Sequence, residues 1–303
     1  MKLILILILC FCFQSFAMAE EFQGQSLSHV VTDIPETLKI SWQDSFNTKP
    51  ETLKTWAAVI ASSVFFYIYD EKIYTHAKKF GRTLGLGNDD HTKSYLSISG
   101  TNILQGPSDV GSTIYYLGNG WTQFFVASSF YINGSFNKDL RAQKTGTQIM
   151  TALLSGSLPT QLIKRATGRE DPNRTTVYRG KWKPFSKDYD KDVSAHDAVP
   201  SGHLMAVTST MTVIDTNYPE YRHITRPIAY TALTLLGFQM VNIGVHWVSD
   251  YPLGIAIGYV AGRAATKVGS EKSNEVSSWN LQPLYYGSGK DDRTYGLITS
   301  RSF

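Results

Sequence analysis

Two short segments carry the residues whose types and spacing suit chemistry. A Pro-Ser-Gly-His tetrapeptide ends at His203, and His246 follows 43 residues later, with Asp250 four residues beyond it. Ser201 suits the N-cap of a helix, which leaves the amides of Gly202 and His203 free at the positive end of the helix dipole. Free amides of this kind bind anions, and an imidazole beside them can give or take a proton. Two imidazoles, a carboxylate and an amide nest together indicate phosphoryl transfer.

These motifs resemble those of the type 2 phosphatidic acid phosphatase (PAP2) and vanadium haloperoxidase superfamily. That family has three motifs, Lys-x6-Arg-Pro, Pro-Ser-Gly-His and Ser-Arg-x5-His-x3-Asp. Here the second is complete, the third keeps His246 and Asp250, and the first is represented by Lys164 and Pro172. The resemblance extends over residues 110–269 and implies an all-α helical bundle of the PAP2 and haloperoxidase type.

The resemblance also implies a role for each residue. His246 would attack phosphorus to form a phosphohistidine, Asp250 would hold the other ring nitrogen, and His203 would protonate the leaving alkoxide. The predicted phosphate-binding residues of the matching motifs are Lys164, Ser201 and Gly202. Taken singly, each residue also suits an ordinary structural role, such as a helix-terminal histidine or an N-cap aspartate. The three motifs in order favour the functional interpretation.

Two arginines of the family pattern are replaced. Asp171 stands where the first motif has arginine, and Met240, preceded by Gln239, stands where the third has Ser-Arg. An arginine binds two phosphate oxygens at once, whereas an aspartate in its place repels phosphate. Of the arginines nearby in sequence, we expect Arg169, at the end of the helix that carries the motif lysine, to bind phosphate instead.

The remaining histidines give weaker signals. His196 and Asp197 lie just before the nest and could either line the site or form an ordinary loop pair. The other four histidines have no ligand-like spacing, so we expect no metal site and no cofactor; they are His29, His76, His91 and His223.

The leading hypothesis is a periplasmic, metal-independent phosphatase acting on phosphomonoesters or on lipid phosphates and pyrophosphates. A second hypothesis is a catalytically altered family member that binds phosphate-like groups or a partner without turnover, for which Asp171 and Met240 are the evidence. A third hypothesis is vanadate-dependent halide oxidation. It depends most on positive charge to hold vanadate, so the two missing arginines count against it most. Retention of both motif histidines and of Asp250 favours the enzyme over the binder.

The first 19 residues read as a secretory signal peptide. An apolar run at residues 3–13 follows Lys2, and a small-x-small site ends at Ala19. The rival interpretation, a retained membrane anchor, is disfavoured because the run is well short of the ~20 residues that span a bilayer. Both cysteines, Cys10 and Cys12, fall inside this peptide, so no disulfide is expected. These features predict a bacterial periplasmic protein.

The net charge of the chain limits the kinds of molecule that it is expected to bind. The formal net charge is +4, and no basic cluster is interleaved with aromatic residues, which argues against nucleic acid. The expected partner is a phosphorylated small molecule or lipid, with contact to a membrane surface as a further expectation. The oligomeric state is left open.

The predicted organisation has four parts. Residues 1–19 are the signal peptide, 20–108 a leader with packing helices, 109–269 the catalytic bundle, and 270–303 an extended segment with a β-hairpin. Residues 20–50 are polar and predicted to form an extended or partly ordered leader, while the apolar run 56–69 predicts a buried helix. The five helices predicted in the bundle are residues 110–133, 145–167, 201–213, 227–245 and 252–267. Abundant polar residues in the uncharged stretches favour a soluble bundle over an integral one.

Overall fold

The computed structural model describes residues 26–98, 101–274, 280–286 and 294–300. The predicted signal peptide lies outside the described residues. Helices make up most of the described chain, which confirms the all-α prediction for the bundle. The helices are α1 (His29–Thr32), α2 (Ile34–Ser45), α3 (Pro50–Thr83), α4 (Val110–Tyr116), α5 (Gly120–Asn137), α6 (Leu140–Thr167), α7 (Gly202–Asn217), α8 (Arg222–Ile243) and α9 (Tyr251–Asn274). The strands are β1 (Thr92–Ile98), β2 (Thr101–Pro107), β3 (Asn280–Tyr286) and β4 (Thr294–Ser300).

The core lies where α7 packs against α6, α8 and α9. Glycines on α9 allow a close approach to α7, because a Cβ on Gly262 would lie 2.9 Å from the Ser209 carbonyl oxygen. A Cβ on Gly254 would lie 2.5 Å from the Ser201 carbonyl oxygen. Substituting either residue would therefore push α9 away from α7. This close packing fixes the start of α7, where the Pro-Ser-Gly-His motif lies.

Capping residues set the ends of the helices that carry the motifs. The Asp139 carboxylate accepts a hydrogen bond from the Ala142 amide at 3.0 Å and starts α6. Gly168 ends α6 in the left-handed region, with φ of +56°, a conformation that favours glycine. The predicted end of this helix at residue 167, just before Gly168, is confirmed.

All five predicted helices differ from the observed ones at one or both ends, and two of these differences have a local cause. Residues 110–133 form α4 and α5 rather than one helix, because the Asn119 side chain accepts a hydrogen bond from the Trp121 amide at 2.9 Å and caps a new helix. The helix predicted to begin at Pro227 begins at Arg222 instead. A 3₁₀ turn that starts at Pro219 leads into it. Pro227 therefore lies inside α8, and Pro219 marks the start of the turn that precedes the helix.

The leader is helical, so the prediction of extended chain is wrong from His29 to Ser45. Ile40 on α2 is buried and packs with Ala264 and Val268 on α9. A single apolar face of α2 is enough to dock it on the bundle, because tertiary packing stabilises short amphipathic helices.

α3 differs from its prediction in length and burial. It has 34 residues, which at ~1.5 Å per residue gives about 51 Å. The prediction of a buried helix is wrong, since Ile60 and Phe65 are 59% and 56% exposed. Within the described part of the chain it is the helix whose length and apolar composition would allow it to cross a membrane, and its apolar window is wholly unburied.

Two antiparallel hairpins flank the bundle in sequence. β3 pairs with β4, with Asn280 opposite Ser300, which confirms the predicted C-terminal hairpin. β1 pairs with β2, with Thr92 opposite Pro107. That hairpin lies in the region predicted as a leader with packing helices, and it leads into α4.

Candidate active site

The start of α7 forms the predicted amide nest. Ser201 is its N-cap, and the Ser201 hydroxyl accepts a hydrogen bond from the Leu204 amide at 3.4 Å. The Ser201 amide donates to the Asp250 carbonyl oxygen at 3.1 Å, which ties the nest to the third motif. The first amides of a helix have no intrahelical acceptor, so the amides of Gly202 and His203 are available to an anion.

The His246 ring is held by a backbone carbonyl. Its Nδ1 lies 2.8 Å from the Ala198 carbonyl oxygen, which can only accept, so Nδ1 carries the proton and Nε2 the lone pair. The Asp250 carboxylate is 3.7 Å from Nδ1, too far for a hydrogen bond. The prediction that Asp250 fixes the tautomer is therefore corrected: Ala198 fixes it, and Asp250 acts on the ring through its charge.

Burial controls the protonation of His246. Desolvation, together with the nearby Lys164 charge, lowers the pKa of His246 to about 3. The imidazole is thus neutral at neutral pH, as a nucleophile must be.

The second motif histidine lies beside the first. The ring centroids of His203 and His246 are 6.1 Å apart, and Tyr115 packs on the other side of His203 at 4.6 Å. Burial, with the charges of His246 and Lys164, lowers the pKa of His203 to about 3. At this separation the two rings are in edge-to-face contact, so an anion at the start of α7 would lie beside the pair of rings and not between them.

The motif lysine reaches the nest but is already paired. A Cβ on Gly202 would lie 4.0 Å from Lys164 Cε. Lys164 is buried, and its ammonium donates to Asp197 Oδ2 at 3.0 Å. Asp197 therefore contacts the predicted phosphate-binding lysine, which favours the interpretation that it lines the site over that of an ordinary loop residue. Its neighbour His196 points elsewhere, with Nε2 3.2 Å from the Ser186 hydroxyl.

Asp171 occupies the position of the first missing arginine. It is only 4% exposed, and Oδ1 has no hydrogen-bond partner. Burial, reinforced by the charge of Asp197, raises the pKa of Asp171 well above its ordinary value, against the opposing charge of Lys164. A buried, protonated carboxyl here would be a hydrogen-bond donor rather than a repelling charge.

Met240 occupies the position of the second missing arginine. It packs in a buried cluster with Leu204 and Leu236, and its sulfur accepts a hydrogen bond from the Ser201 hydroxyl at 3.7 Å. The Met240 side chain therefore packs as an apolar group against the first turn of α7, at a position where an arginine would place a charge.

Arg169 does not compensate for these losses, and the prediction that it binds phosphate is wrong. Its Nη1 donates to the Ser249 hydroxyl at 2.7 Å and to Asp250 Oδ1 at 2.6 Å. Its Nη2 donates to Asp70 Oδ2 at 2.8 Å, and both Nη2 and Nε donate to the Arg179 carbonyl oxygen, at 3.2 Å and 3.3 Å. A guanidinium has five N–H donors. All five are used within the protein, so none remains for a phosphate oxygen.

The chain between α6 and α7 wraps the site with ordered backbone contacts. The Ala198 amide donates to the Arg169 carbonyl oxygen at 3.0 Å, and the Trp247 indole donates to the Glu170 carbonyl oxygen at 2.9 Å. The backbone of Arg169 also forms an isolated antiparallel β-bridge with the backbone of Trp182. These contacts place the Ala198 carbonyl where it holds His246.

Sequence reasoning missed Asp70 and the Ala198 carbonyl. Asp70 lies on α3, far from every motif, yet it is 1% exposed and bonds to Arg169 and Ser249. The available signal was a lone carboxylate at the end of the most apolar run that follows the predicted signal peptide. Among the described residues, no group of three or more His, Cys, Asp or Glu side chains is arranged to hold a metal ion.

The fold is a helical bundle in which two buried histidines lie in contact near the N-terminus of α7. Residues 145–273, from within α6 to near the end of α9, match the family model of the PAP2 superfamily, which confirms the resemblance over this segment.

Among solved structures, the chain is similar to the transmembrane PAP2-type phosphatidylglycerolphosphate phosphatase of Bacillus subtilis, at 13% identity and a TM-score of 0.40, over 73% of this chain and 96% of that one. At this identity and TM-score, no property of that enzyme passes to this chain. No curated protein matches the chain.

Proposed function

We propose that this protein is a phosphatase that hydrolyses phosphomonoesters, or lipid phosphates and pyrophosphates, through a phosphohistidine at His246. The observation that carries the proposal is the neutral His246 ring, its tautomer fixed by the Ala198 carbonyl at 2.8 Å, next to the free amides at the start of α7. A ring held in this way presents the Nε2 lone pair to an anion bound at those amides.

The reaction has two steps. In the first, His246 Nε2 attacks phosphorus, the bond from phosphorus to the ester oxygen breaks, and His203 gives the leaving alkoxide a proton. Because His203 is neutral in the empty site, that proton enters with the substrate, whose negative charge favours imidazolium beside it. In the second, water attacks phosphorus, His203 takes the water proton, and the bond to Nε2 breaks.

Phosphate binding in this site depends on proton uptake. The substrate oxygens compete with Asp197 for the Lys164 ammonium, which Asp197 holds at 3.0 Å. A protonated Asp171 donates a hydrogen bond where the family has an arginine, through the carboxyl that has an unpartnered oxygen. The amides of Gly202 and His203 supply the remaining donors.

An exposed apolar surface favours a lipid substrate and association with a membrane. Large apolar side chains lie exposed on several helices, which is unusual for a protein surface in water; they include Ile60 and Phe65 on α3, Trp121 and Phe125 on α5, Leu158 and Leu162 on α6, and Ile228 and Tyr230 on α8. An apolar groove of about 520 Å³ lies between α3 and α8, lined by Phe65, Phe80 and Phe238 among others. Export through the predicted signal peptide would place the site in the periplasm.

The alternative is a family member that binds phosphate-like groups without turnover. The observation in its favour is that the cations near the nest are already neutralised, Lys164 by Asp197 and Arg169 by Asp70 and Asp250. The same shortage of free positive charge opposes vanadate-dependent halide oxidation, which must hold a vanadate anion.

The test is phosphate release by the purified mature protein, with p-nitrophenyl phosphate and dispersed phosphatidate as substrates. We expect release that orthovanadate inhibits and that H246A abolishes. H223A, which removes an exposed histidine at the start of α8, is the matched control and should retain activity. Equal release by wild type and H246A, or none with either substrate, would overturn the proposed reaction, and orthovanadate binding without turnover would establish the binding alternative.

A further inference from the structure

Asp70 is a buried charge on an otherwise exposed helix. Asp70 and Gly81 are the buried residues of α3, and the Asp70 carboxylate is 1% exposed although it follows an apolar, exposed run. A carboxylate in such a place is costly unless it is fully paired. It is paired: Oδ1 accepts from the Ser249 amide at 3.1 Å, and Oδ2 accepts from the Ser249 hydroxyl at 2.6 Å and from Arg169 Nη2 at 2.8 Å.

These bonds continue into the candidate active site. Arg169 bridges Asp70 to Asp250, and its Nη1 lies 2.6 Å from Asp250 Oδ1. Asp250 Oδ2 accepts from the Trp247 amide at 2.8 Å, which fixes the backbone next to His246. A chain of short, charge-assisted bonds therefore runs from α3 to the residue beside the proposed nucleophile.

We propose that Asp70 is a positioning residue for phosphoryl transfer, which holds the Arg169–Asp250 pair and through it the His246 ring. The inference rests on the proposed function for its catalytic meaning. α3 lies outside residues 145–273, the segment that matches the superfamily. The site of this protein is therefore completed by a helix outside that segment.

The shared arginine has an electrostatic consequence. Asp70 and Asp250 divide one guanidinium between them, so Asp250 keeps part of its negative charge uncompensated, 3.7 Å from His246 Nδ1. That charge favours the imidazolium that forms when Nε2 is phosphorylated. Without the Asp70 charge, Arg169 would neutralise Asp250 more completely, and the field at His246 would weaken.

The expected pH effect has a definite sign. Burial raises the pKa of Asp250 to about 7, against the opposing charge of Arg169. Removing the Asp70 charge takes away a repulsion and frees Arg169, so the pKa of Asp250 falls. The charged and titratable groups that face Asp250 are Arg169, Lys164, Asp70, Asp171, His246 and Tyr251.

The test compares wild type with D70N, which keeps the size of the side chain and removes its charge. The acid limb of the kcat profile should move to lower pH by roughly one unit, and kcat should fall about 10- to 100-fold with KM nearly unchanged, because the ring is held less well. D33N is the control, since Asp33 is a buried carboxylate paired with His29 at the junction of α1 and α2.

A second measurement does not depend on turnover. His246 Nδ1 lies 3.7 Å from Asp250, so the NMR shifts of the His246 ring nitrogens, assigned with H246A, report the titration of Asp250. That titration should move to lower pH in D70N even if no substrate is hydrolysed. A D70N protein that melts like wild type, with an unchanged His246 titration and an unchanged kcat, would overturn the inference. A loss of activity that only follows unfolding, with the His246 titration of the folded fraction unmoved, would overturn it as well.

Discussion

The residues that carry the proposed chemistry differ from the family motifs at two positions. Lys164, His203 and His246 are retained, but Asp171 and Met240 replace the two arginines. An arginine provides fixed charge at every pH, whereas a carboxyl provides a donor only while it is protonated. We therefore expect phosphate binding by this protein to depend directly on proton concentration.

We expect D171N to remove much of the pH dependence of phosphate binding. The raised pKa of Asp171 means that the carboxyl is protonated below that pKa and ionised above it. Binding of inorganic phosphate to wild type should therefore weaken as pH rises through that value. Asparagine cannot ionise, so at high pH D171N should bind phosphate roughly tenfold more tightly than wild type, a difference of about 1.4 kcal/mol. At low pH, where Asp171 is protonated, the two proteins should bind phosphate with the same affinity.

Calorimetric titration with inorganic phosphate at a low and a high pH measures both proteins. D190N, an exposed carboxylate of the same loop, is the control and should follow wild type. If D171N and wild type keep the same affinity ratio at both pH values, Asp171 does not titrate in the phosphate site.

How far the site could be read from the sequence depends on where each residue lies. His246 and Asp250 are four apart, so spacing alone places them together. Asp70 is 99 positions from Arg169, and no local pattern indicates that they meet. The Ala198 carbonyl that orients His246 is a backbone group, present at every residue, so its role follows only from the path of the loop.

Among the helices, too, features set by local sequence were predicted and features set by tertiary contacts were not. Gly168 and Ser201 set helix ends through local chemistry, and both predictions are confirmed. The helical leader was missed because α2 is stabilised by docking Ile40 on α9, a tertiary contact. The length of α3 was missed because polar residues extend the helix on both sides of its apolar run.

The first turn of α7 supplies a prediction at this scale. A methyl on Gly202 would lie 3.9 Å from Thr160 Cγ2 and 4.0 Å from Lys164 Cε, which is ordinary contact. G202A should therefore fold with an unchanged or slightly higher Tm, since alanine favours helix. The methyl would nevertheless fill the space beside Lys164, so KM should rise about tenfold, or about 1.4 kcal/mol.

Steady-state kinetics and thermal unfolding separate these two effects. G120A is the matched control, because Gly120 is likewise the first residue of a helix, α5, and has open space at its Cβ. A KM for G202A equal to that of G120A would show that phosphate does not approach Gly202.

At the scale of the whole molecule, polar and apolar residues are distributed unlike those of a typical soluble bundle. Threonine, serine and glutamine side chains are buried along α6 and α7, while large apolar side chains are exposed on the outer helices. The hydrophobic effect disfavours such a surface in water. Contact with lipid would remove that cost.

We expect the mature protein to float with phosphatidylcholine vesicles in a density gradient. Exchanging Ile60 and Phe65 on α3 for glutamine should weaken this association, since each large apolar side chain contributes about 1.5–3 kcal/mol on burial. V110Q removes an exposed apolar residue at the start of α4 and serves as the control. Wild-type protein that remains wholly in the dense fractions would contradict membrane association.

The Asp70–Arg169 bond also has a consequence for how the molecule is assembled. A segment cut to the matched residues 145–273 would retain a buried arginine without one of its two carboxylates. Such a fragment would have to recruit α3 to complete its polar interior. The N-terminal half is therefore part of the fold of the C-terminal half, and we expect the two halves, supplied as separate polypeptides, to form a stable structure only when they bind each other.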